Sequence, residues 1–189
     1  MRAHGPGPKV IGVAGWKNSG KTTLVARLIT ELTRRGFKVA TVKHAHHNFQ
    51  IDAAETDSAR HRRAGAVQVA VVSARRWALV RELGGEPEPA LEAIIARLDP
   101  CDLVIVEGYK AAPIPKIETR RRAGARETRL ADTDPHVIAV AADFACEAAG
   151  RPVLALDDVA GIADLIVATT GARPGVHGGS DAKAPTPKG

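Results

Sequence analysis

Aromatic residues are scarce in this chain, at 3% of 189 residues, whereas 27 Lys and Arg stand against 21 Asp and Glu. A basic chain invites a nucleic-acid function, but stacking on single-stranded bases requires aromatic side chains. The sequence also lacks helix-turn-helix and zinc-finger spacing. We therefore predict no nucleic-acid partner and assign the basic charge to a small phosphorylated ligand or an acidic protein.

Long apolar runs are missing as well, and there are only two cysteines. No run approaches the roughly 18 residues of a membrane span, and the first ten residues, MRAHGPGPKV, do not resemble a signal peptide. We therefore expect a cytoplasmic protein with no membrane association. Cys101 and Cys146 have no partner spacing, so we interpret them as reduced structural thiols.

Short apolar runs alternate with helical periodicity along most of the chain. Strands are predicted in KVIGVAG, FKVATVKH, AVQVAVVS, CDLVIVEG, HVIAVAAD and PVLAL. Helices are predicted after residue 20, near residues 57–64 with Asp57 as cap and Gly65 as stop, in PALEAIIARL, and over residues 157–169; WALVREL fits either state. The alternation predicts a doubly wound, mostly parallel α/β sheet of six or seven strands in a single domain.

The segment GWKNSGKTTL matches G-x-x-x-x-G-K-[ST] between a predicted strand and a predicted helix. Gly15 and Gly20 let backbone N–H groups turn toward phosphate, Lys21 reaches the outer phosphates, and Thr22 offers magnesium a hydroxyl. We expect Lys21 to face solvent when no nucleotide is bound. The other predicted contacts within this phosphate loop are Asn18, Ser19 and Thr23. The motif predicts a P-loop nucleotide-binding domain over residues 9–170, with a flexible stretch at 1–8 and a disordered tail at 171–189.

A second strand must bring a carboxylate to the nucleotide, and DLVIVEG ends in Glu107, where magnesium or its water shell would lie. Asp102 begins the same strand and should point away from the site. In the same way, KHAHHNF begins where the second strand ends, so Lys43 and His44 should emerge beside the phosphates.

Four segments together resemble one family, the molybdopterin-guanine dinucleotide biosynthesis protein B (MobB) group of P-loop GTPases. They are the phosphate loop, TVKHAHHNFQID, TDSARHRRAGA and DLVIVEGYKAAPIPKIE, within about residues 9–144. The resemblance implies an adaptor that binds GTP with Mg²⁺, is usually a homodimer, and works with the molybdopterin guanylyltransferase that attaches GMP to molybdopterin. Molybdopterin or its guanine dinucleotide would be a further ligand, and the adaptor's own GTP hydrolysis would be weak.

Two stretches depart from the family pattern. Family members commonly carry Phe-Asp-x-Asp, and in this chain Gln50 replaces the first Asp of that motif. They also commonly carry Gly-Lys-Asp-Ser, and here Thr56 replaces the Lys. One magnesium-side acid and one positive charge are thereby lost, but Asp52 and Asp57 remain. We therefore keep Lys21, Asp57 and Glu107 as candidate catalytic residues, and Thr22, Asp52 and Glu107 as candidate magnesium ligands.

The sequence allows alternatives for two features: which nucleotide base is bound, and what the histidines do. No Asn-Lys-x-Asp motif is present, so GTP rests on the resemblance; Asp143 either accepts hydrogen bonds from guanine or caps a helix. His44, His46 and His47 fit phosphate or pterin contact, ordinary structural roles, or a transition-metal site. We interpret Lys17 as a solvated charge.

Two other functions use the same fold: a small-molecule kinase or ATP-dependent ligase, and a metal-delivery GTPase with histidine ligands. Pro113 and Pro115 predict an exposed loop, in which Lys116 and Glu118 would meet a ligand or a second subunit. Alternatively, the two prolines serve only to make the loop rigid. The run ETRRRAGARETR reads either as a solvated basic stretch or as a binding surface.

Overall fold

The computed structural model describes residues 7–45, 56–124 and 128–175. They form two compact units, one of residues up to 44 and from 97 onward, the other of residues 45–96. The first unit begins with β1 (Lys9–Ala14), α1 (Lys21–Arg34) and β2 (Val39–Lys43). The second unit contains α2 (Asp57–Arg63), β3 (Gln68–Val72), β4 (Trp77–Arg81) and α3 (Leu91–Ile95). The first unit then resumes with β5 (Leu103–Glu107), β6 (Lys116–Arg120), a 3₁₀ turn (Arg122–Gly124), α4 (Leu130–Thr133), β7 (Val137–Ala142), β8 (Val153–Ala155) and α5 (Val159–Thr170).

The first unit is built on a six-stranded sheet in the order β2-β5-β1-β6-β7-β8, with every neighbouring pair parallel. Its central strands are buried along their lengths, as expected when helices cover both faces. The doubly wound, mostly parallel α/β fold predicted from the sequence is confirmed. Because β1 lies between β5 and β6, the carboxyl ends of those two strands flank the loop that follows β1.

Apolar residues of α1 and α5 form the main core against the sheet. Leu24, Leu28 and Leu32 repeat at helical spacing on α1 and are at most 1% exposed. Ile162 and Ile166 from α5 join the same cluster. This packing fixes α1, and with it the loop that leads into α1.

The strand β6 corrects one expectation. Lys116 and Glu118 were predicted on an exposed loop, but each is only 1% exposed and lies in the middle of the sheet. The reading of the following run as solvated is also wrong where it begins, because Thr119 and Arg120 are buried. The charges are tolerated because each has a partner: Lys116 pairs with Asp134 at 2.6 Å, and Arg120 with Glu118 at 2.7 Å.

The second unit holds a two-stranded antiparallel sheet, β3 with β4. AVQVAVVS does form a strand, but it belongs to this hairpin and not to the parallel sheet, and WALVREL is its partner strand. The helix α2 begins at Asp57, but the predicted cap is wrong: the capping residue is Thr56, whose hydroxyl accepts from the Ala59 N–H, and not Asp57. The helix predicted in PALEAIIARL is only five residues long, and no side chain caps it.

None of the helices within residues 7–45, 56–124 and 128–175 combines the length and the apolar character that a membrane-spanning helix needs. The two cysteines are free, as predicted.

Candidate nucleotide-binding site

The loop between β1 and α1 has the backbone of an anion-binding turn. Three of its residues have positive φ: Gly15 at 149°, Asn18 at 64° and Gly20 at 92°. A Cβ on Gly15 would lie 2.6 Å from the Ser19 hydroxyl and 2.7 Å from the Thr119 carbonyl oxygen, so only glycine fits there. The loop then enters α1 at Lys21, which directs the helix N-terminus toward the space the loop encloses.

A buried pair of hydroxyls ties this loop to β6. Ser19 is 2% exposed, and its Oγ lies 2.7 Å from Thr119 Oγ1. The Thr119 hydroxyl also lies 3.2 Å from the Ala14 carbonyl, to which it donates. The hydroxyl of Ser19 therefore bonds to β6 of the sheet, and Ser19 contributes to the loop through its backbone N–H.

Lys21 lies across the loop and is half-buried, where the sequence predicted a solvent-facing side chain. Its ammonium donates to the Trp16 carbonyl oxygen at 2.7 Å. Burial lowers the pKa of Lys21 below its usual value; the Glu107 carboxylate opposes the shift, while the Lys110 and Lys43 ammoniums add to it. Burial, more than the charge of the neighbouring groups, therefore disfavours the charged form of Lys21.

Thr22 and Glu107, predicted separately from two segments, meet in the fold. The Thr22 hydroxyl donates to Glu107 Oε1 at 2.6 Å, and the Lys43 ammonium lies 3.3 Å from the same oxygen. A hydroxyl and a carboxylate are ligand types that magnesium takes, with water and phosphate oxygens completing the octahedron. The donor set therefore fits Mg²⁺. Asp102 lies at the opposite end of β5, as predicted, where its carboxylate accepts from the Lys38 N–H at 2.8 Å.

The remaining predicted site residues are found in different parts of the chain, and some of them fall outside the described residues. Asp57 is the first residue of α2 in the second unit, 3.7 Å from Arg60 as an exposed ion pair. His44 continues the β2–β5 ladder through its N–H, which donates to the Glu107 carbonyl at 2.9 Å, and its ring lies 4.6 Å from the Tyr109 ring. Asp52, His46 and His47 lie outside the described residues. Within residues 7–45, 56–124 and 128–175, no group of three His, Cys, Asp or Glu side chains is arranged to hold a metal.

A pocket of about 440 Å³ opens at the ends of β7 and β8, lined among others by Arg121, Asp143, Phe144 and Leu156. A Cβ on Gly20 would lie 3.0 Å from Arg121 and 3.2 Å from Leu156, so the pocket adjoins the phosphate loop. Asp143 Oδ1 accepts from the Arg122 N–H at 2.8 Å, which ties Asp143 to the 3₁₀ turn. The volume is in the range of small-molecule sites.

A family model described as molybdopterin guanine dinucleotide synthesis protein B, MobB, matches residues 10–143. The chain belongs to the MobB family. The molybdopterin-guanine dinucleotide biosynthesis adapter protein of Escherichia coli (strain K12) is 40% identical over 161 residues, which cover 84% of this chain and 91% of that protein. The Haemophilus influenzae adapter protein is 39% identical over 160 residues, covering 83% and 86%.

Solved structures agree in fold. A crystal structure of molybdopterin-guanine biosynthesis protein B is 28% identical with a TM-score of 0.65, covering 85% of this chain and 99% of that one. A MobB homologue from Bacillus stearothermophilus is 29% identical with a TM-score of 0.62, covering 87% and 99%. The family resemblance predicted from the four sequence segments is confirmed.

The fold of this MobB chain also brings residues to the site that the sequence did not single out. Trp16 donates through Nε1 to the Thr128 carbonyl at 2.7 Å, and the Lys110 ammonium lies 3.8 Å from the Trp16 ring centroid. Arg121 lies between the pocket and Gly20. Thr119 and Arg121 belong to the run ETRRRAGARETR, for which a binding surface was one of two interpretations, and Lys110 stands three residues after Glu107. Neither pattern indicated a contact with the phosphate loop.

Proposed function

We propose that this chain is an adaptor of molybdopterin guanine dinucleotide biosynthesis that binds GTP with Mg²⁺ at its phosphate loop. The observation that carries the proposal is the contact between Thr22 and Glu107 beside a glycine-shaped loop, in a chain of the MobB family. Relatives named as adapter proteins for this biosynthesis, about 40% identical, support the biological role.

The residues divide the work of binding. On nucleotide binding, Lys21 would exchange the Trp16 carbonyl for phosphate oxygens, which are stronger acceptors for an ammonium. Thr22 and Glu107 would hold Mg²⁺ directly or through its waters, and the ion would supply charge neutralisation at the outer phosphates. Lys43 lies beside Glu107 and would keep that carboxylate oriented.

The base would bind in the pocket at the ends of β7 and β8. Asp143 uses Oδ1 for the Arg122 N–H, which leaves Oδ2 to accept from the N–H groups on the Watson–Crick edge of guanine. Adenine presents an acceptor at the ring nitrogen that would face this carboxylate. This difference supports GTP over ATP as the ligand.

Turnover by the chain alone would be slow. The carboxylate best placed near the phosphates, Glu107, is held by Thr22 and Lys43 and so serves the magnesium side and not the activation of water. GTPases without a supplied arginine work at well below about one turnover per second. We assign the chain to the cytoplasm, with molybdopterin guanylyltransferase and molybdopterin or its guanine dinucleotide as partners, and we propose a homodimer.

Calorimetry with Mg²⁺ against GTP and ATP tests the proposal. We expect GTP to bind more tightly than ATP, and Lys21→Ala to abolish binding. Thr22→Ala should weaken binding when Mg²⁺ is present and change it little in EDTA, because its hydroxyl serves the ion. Thr30→Ala is the matched control, since that hydroxyl donates to the Ala26 carbonyl within α1, away from the loop.

The biological role is tested by adding the chain to a guanylyltransferase reaction with molybdopterin and GTP. Increased formation of the guanine dinucleotide, lost with Lys21→Ala, supports the adaptor role. Rapid ATP hydrolysis or phosphate transfer to a small acceptor without any guanylyltransferase would overturn it in favour of a kinase.

A further inference from the structure

The connector from β5 to β6 runs along the phosphate loop. Directly after Glu107, the chain turns at Gly108, whose φ is 93° and whose N–H donates to the Val13 carbonyl at 3.1 Å. Tyr109 follows with φ of 41° and its ring against His44. The sharp turn brings the next residue, Lys110, toward the mouth of the site.

Lys110 places its ammonium 3.8 Å from the centroid of the Trp16 ring. The carbonyl oxygen of the same Trp16 accepts from Lys21, so two ammonium groups converge on one loop residue. Among the described residues, Lys110 has no carboxylate partner. A ring face holds an ammonium less strongly than a phosphate oxygen does, so this cation is available to an anionic ligand.

A second, buried lysine fixes the connector. Lys116 is 1% exposed, and its ammonium donates to the carbonyl oxygens of Lys110 and Ala112, each at 2.7 Å, and to Asp134 at 2.6 Å. All three N–H donors of this ammonium are used. A buried ammonium is costly unless it is fully paired, so its bonds hold the backbone of Lys110 in one place.

We propose that Lys110 is a third cation of the phosphate site, which binds the terminal phosphate of the nucleotide, and that Lys116 is the residue that positions it. The inference rests on the proposed GTP binding and extends it to a residue outside the phosphate-loop motif. We expect Lys110 to contact the terminal phosphate for two reasons. It lies three residues beyond Glu107, the magnesium-side acid. Its ammonium also contacts Trp16, the residue whose carbonyl holds Lys21, and Lys21 is the side chain that reaches the outer phosphates.

The test compares GTP with GDP, both with Mg²⁺, by calorimetry on the full chain. Lys110→Ala should weaken GTP binding by about tenfold or more and GDP binding by much less, because only GTP carries the terminal phosphate. Lys110→Arg should retain most of the affinity, since a cation is kept. Lys38→Ala is the matched control: it removes an exposed lysine that precedes β2, at the end of the sheet opposite to the phosphate loop, and should leave both affinities unchanged.

Fluorescence gives an independent readout. The chain has two tryptophans, so Trp77→Phe leaves Trp16 as the only one. If Lys110 leaves the Trp16 ring for the phosphate, GTP should change Trp16 emission in this background, and the change should be smaller with GDP. Adding Lys110→Ala should remove the difference between the two nucleotides.

The role of Lys116 is tested with Lys116→Met, after circular dichroism has shown that the variant folds. It should lower GTP affinity relative to GDP, and combining it with Lys110→Ala should add no further loss of selectivity, whereas a purely structural role would weaken both nucleotides equally. If Lys116→Met does not fold, Lys110→Ala still decides. Equal GTP affinity of Lys110→Ala and wild type overturns this inference alone; a wild type that binds no nucleotide overturns the proposed function as well.

Discussion

The charge of the phosphate site depends on the protonation of one side chain, Lys21. Burial and the neighbouring Lys110 and Lys43 lower its pKa, whereas Glu107 opposes the shift. Bound phosphates would raise the pKa of Lys21 again, because their negative charge favours the ammonium. Nucleotide binding should therefore be coupled to the uptake of a proton.

The direction of this coupling predicts how the affinity for GTP changes with pH. At pH values below the lowered pKa, Lys21 is already charged and GTP affinity does not depend on its titration. As the pH rises through that pKa, binding must first protonate the lysine, so affinity falls. We expect the fall in GTP affinity, measured by calorimetry as the pH is raised toward the ordinary pKa of lysine, to be steeper in wild type than in Lys21→Arg, whose guanidinium stays charged throughout. Equal slopes would contradict the coupling, because Lys21→Arg reports any titration of the nucleotide itself.

The residues that could be predicted from the sequence share one property: their roles follow from neighbours in the chain. Gly15, Lys21 and Thr22 stand in a motif that encodes a turn and a helix N-terminus, and Glu107 ends an apolar strand. Lys110 and Arg121 reach the site through tertiary contacts with Trp16 and Gly20, which no local pattern reports.

Among the strands, β6 could not be predicted because its composition argues against burial. Its residues KIETR contain three charged side chains, yet all five are buried. Lys116, Glu118 and Arg120 alternate onto one face of the strand. Glu118 and Arg120 pair with each other, and further partners come from the connector before β6 and from segments after residue 128. Burial of such a strand depends on pairing that forms only in the folded chain. The hairpin of β3 and β4 was hard to predict for a similar reason. The sequence predicted a strand in AVQVAVVS, but it did not show that WALVREL pairs with it.

The pair of Glu118 and Arg120 gives a prediction on stability. The Glu118 carboxylate accepts from Arg120 at 2.7 Å and from the backbone N–H groups of Leu130 and Ala131, the first two residues of α4. Glu118→Gln should lower the free energy of unfolding by about 3–5 kcal/mol, because it leaves a buried guanidinium without its counter-charge. Chemical denaturation measures this change.

A double variant separates the buried charge from the loss of contacts. Glu118→Gln combined with Arg120→Met should be less destabilised than Glu118→Gln alone, because no uncompensated charge remains. Exposed Glu92→Gln on α3 is the control, with a change within about 0.5 kcal/mol. A double variant that is less stable than the single one would show that packing, and not charge, dominates at β6.

Beyond the single chain, the β3–β4 hairpin carries the prediction of a homodimer. Residues paired across an antiparallel ladder share a face, so the pairs Val72–Trp77 and Ala70–Leu79 lie together. Val72 is 74% exposed, Trp77 67% and Leu79 52%. A contiguous apolar face of this kind marks an interaction site. A second copy of the same hairpin offers a matching apolar face, and closed twofold pairing is the commonest assembly of soluble chains.

Two valines of nearly equal exposure test this interface. Val72→Lys places a charge on the apolar face and should shift the chain from dimer to monomer in sedimentation equilibrium, raising the dimer dissociation constant by roughly tenfold or more, because an unpaired charge would be buried. Val67→Lys is the control: Val67 is 76% exposed and precedes β3 at a position of the opposite alternation, so its side chain does not belong to that face.

A monomeric wild type, or a dimer that both substitutions weaken equally, would rule out this face as the contact. Retained GTP affinity in monomeric Val72→Lys would further show that the phosphate site is complete within one chain, as the contacts of Lys21, Thr22 and Glu107 within the first unit lead us to expect.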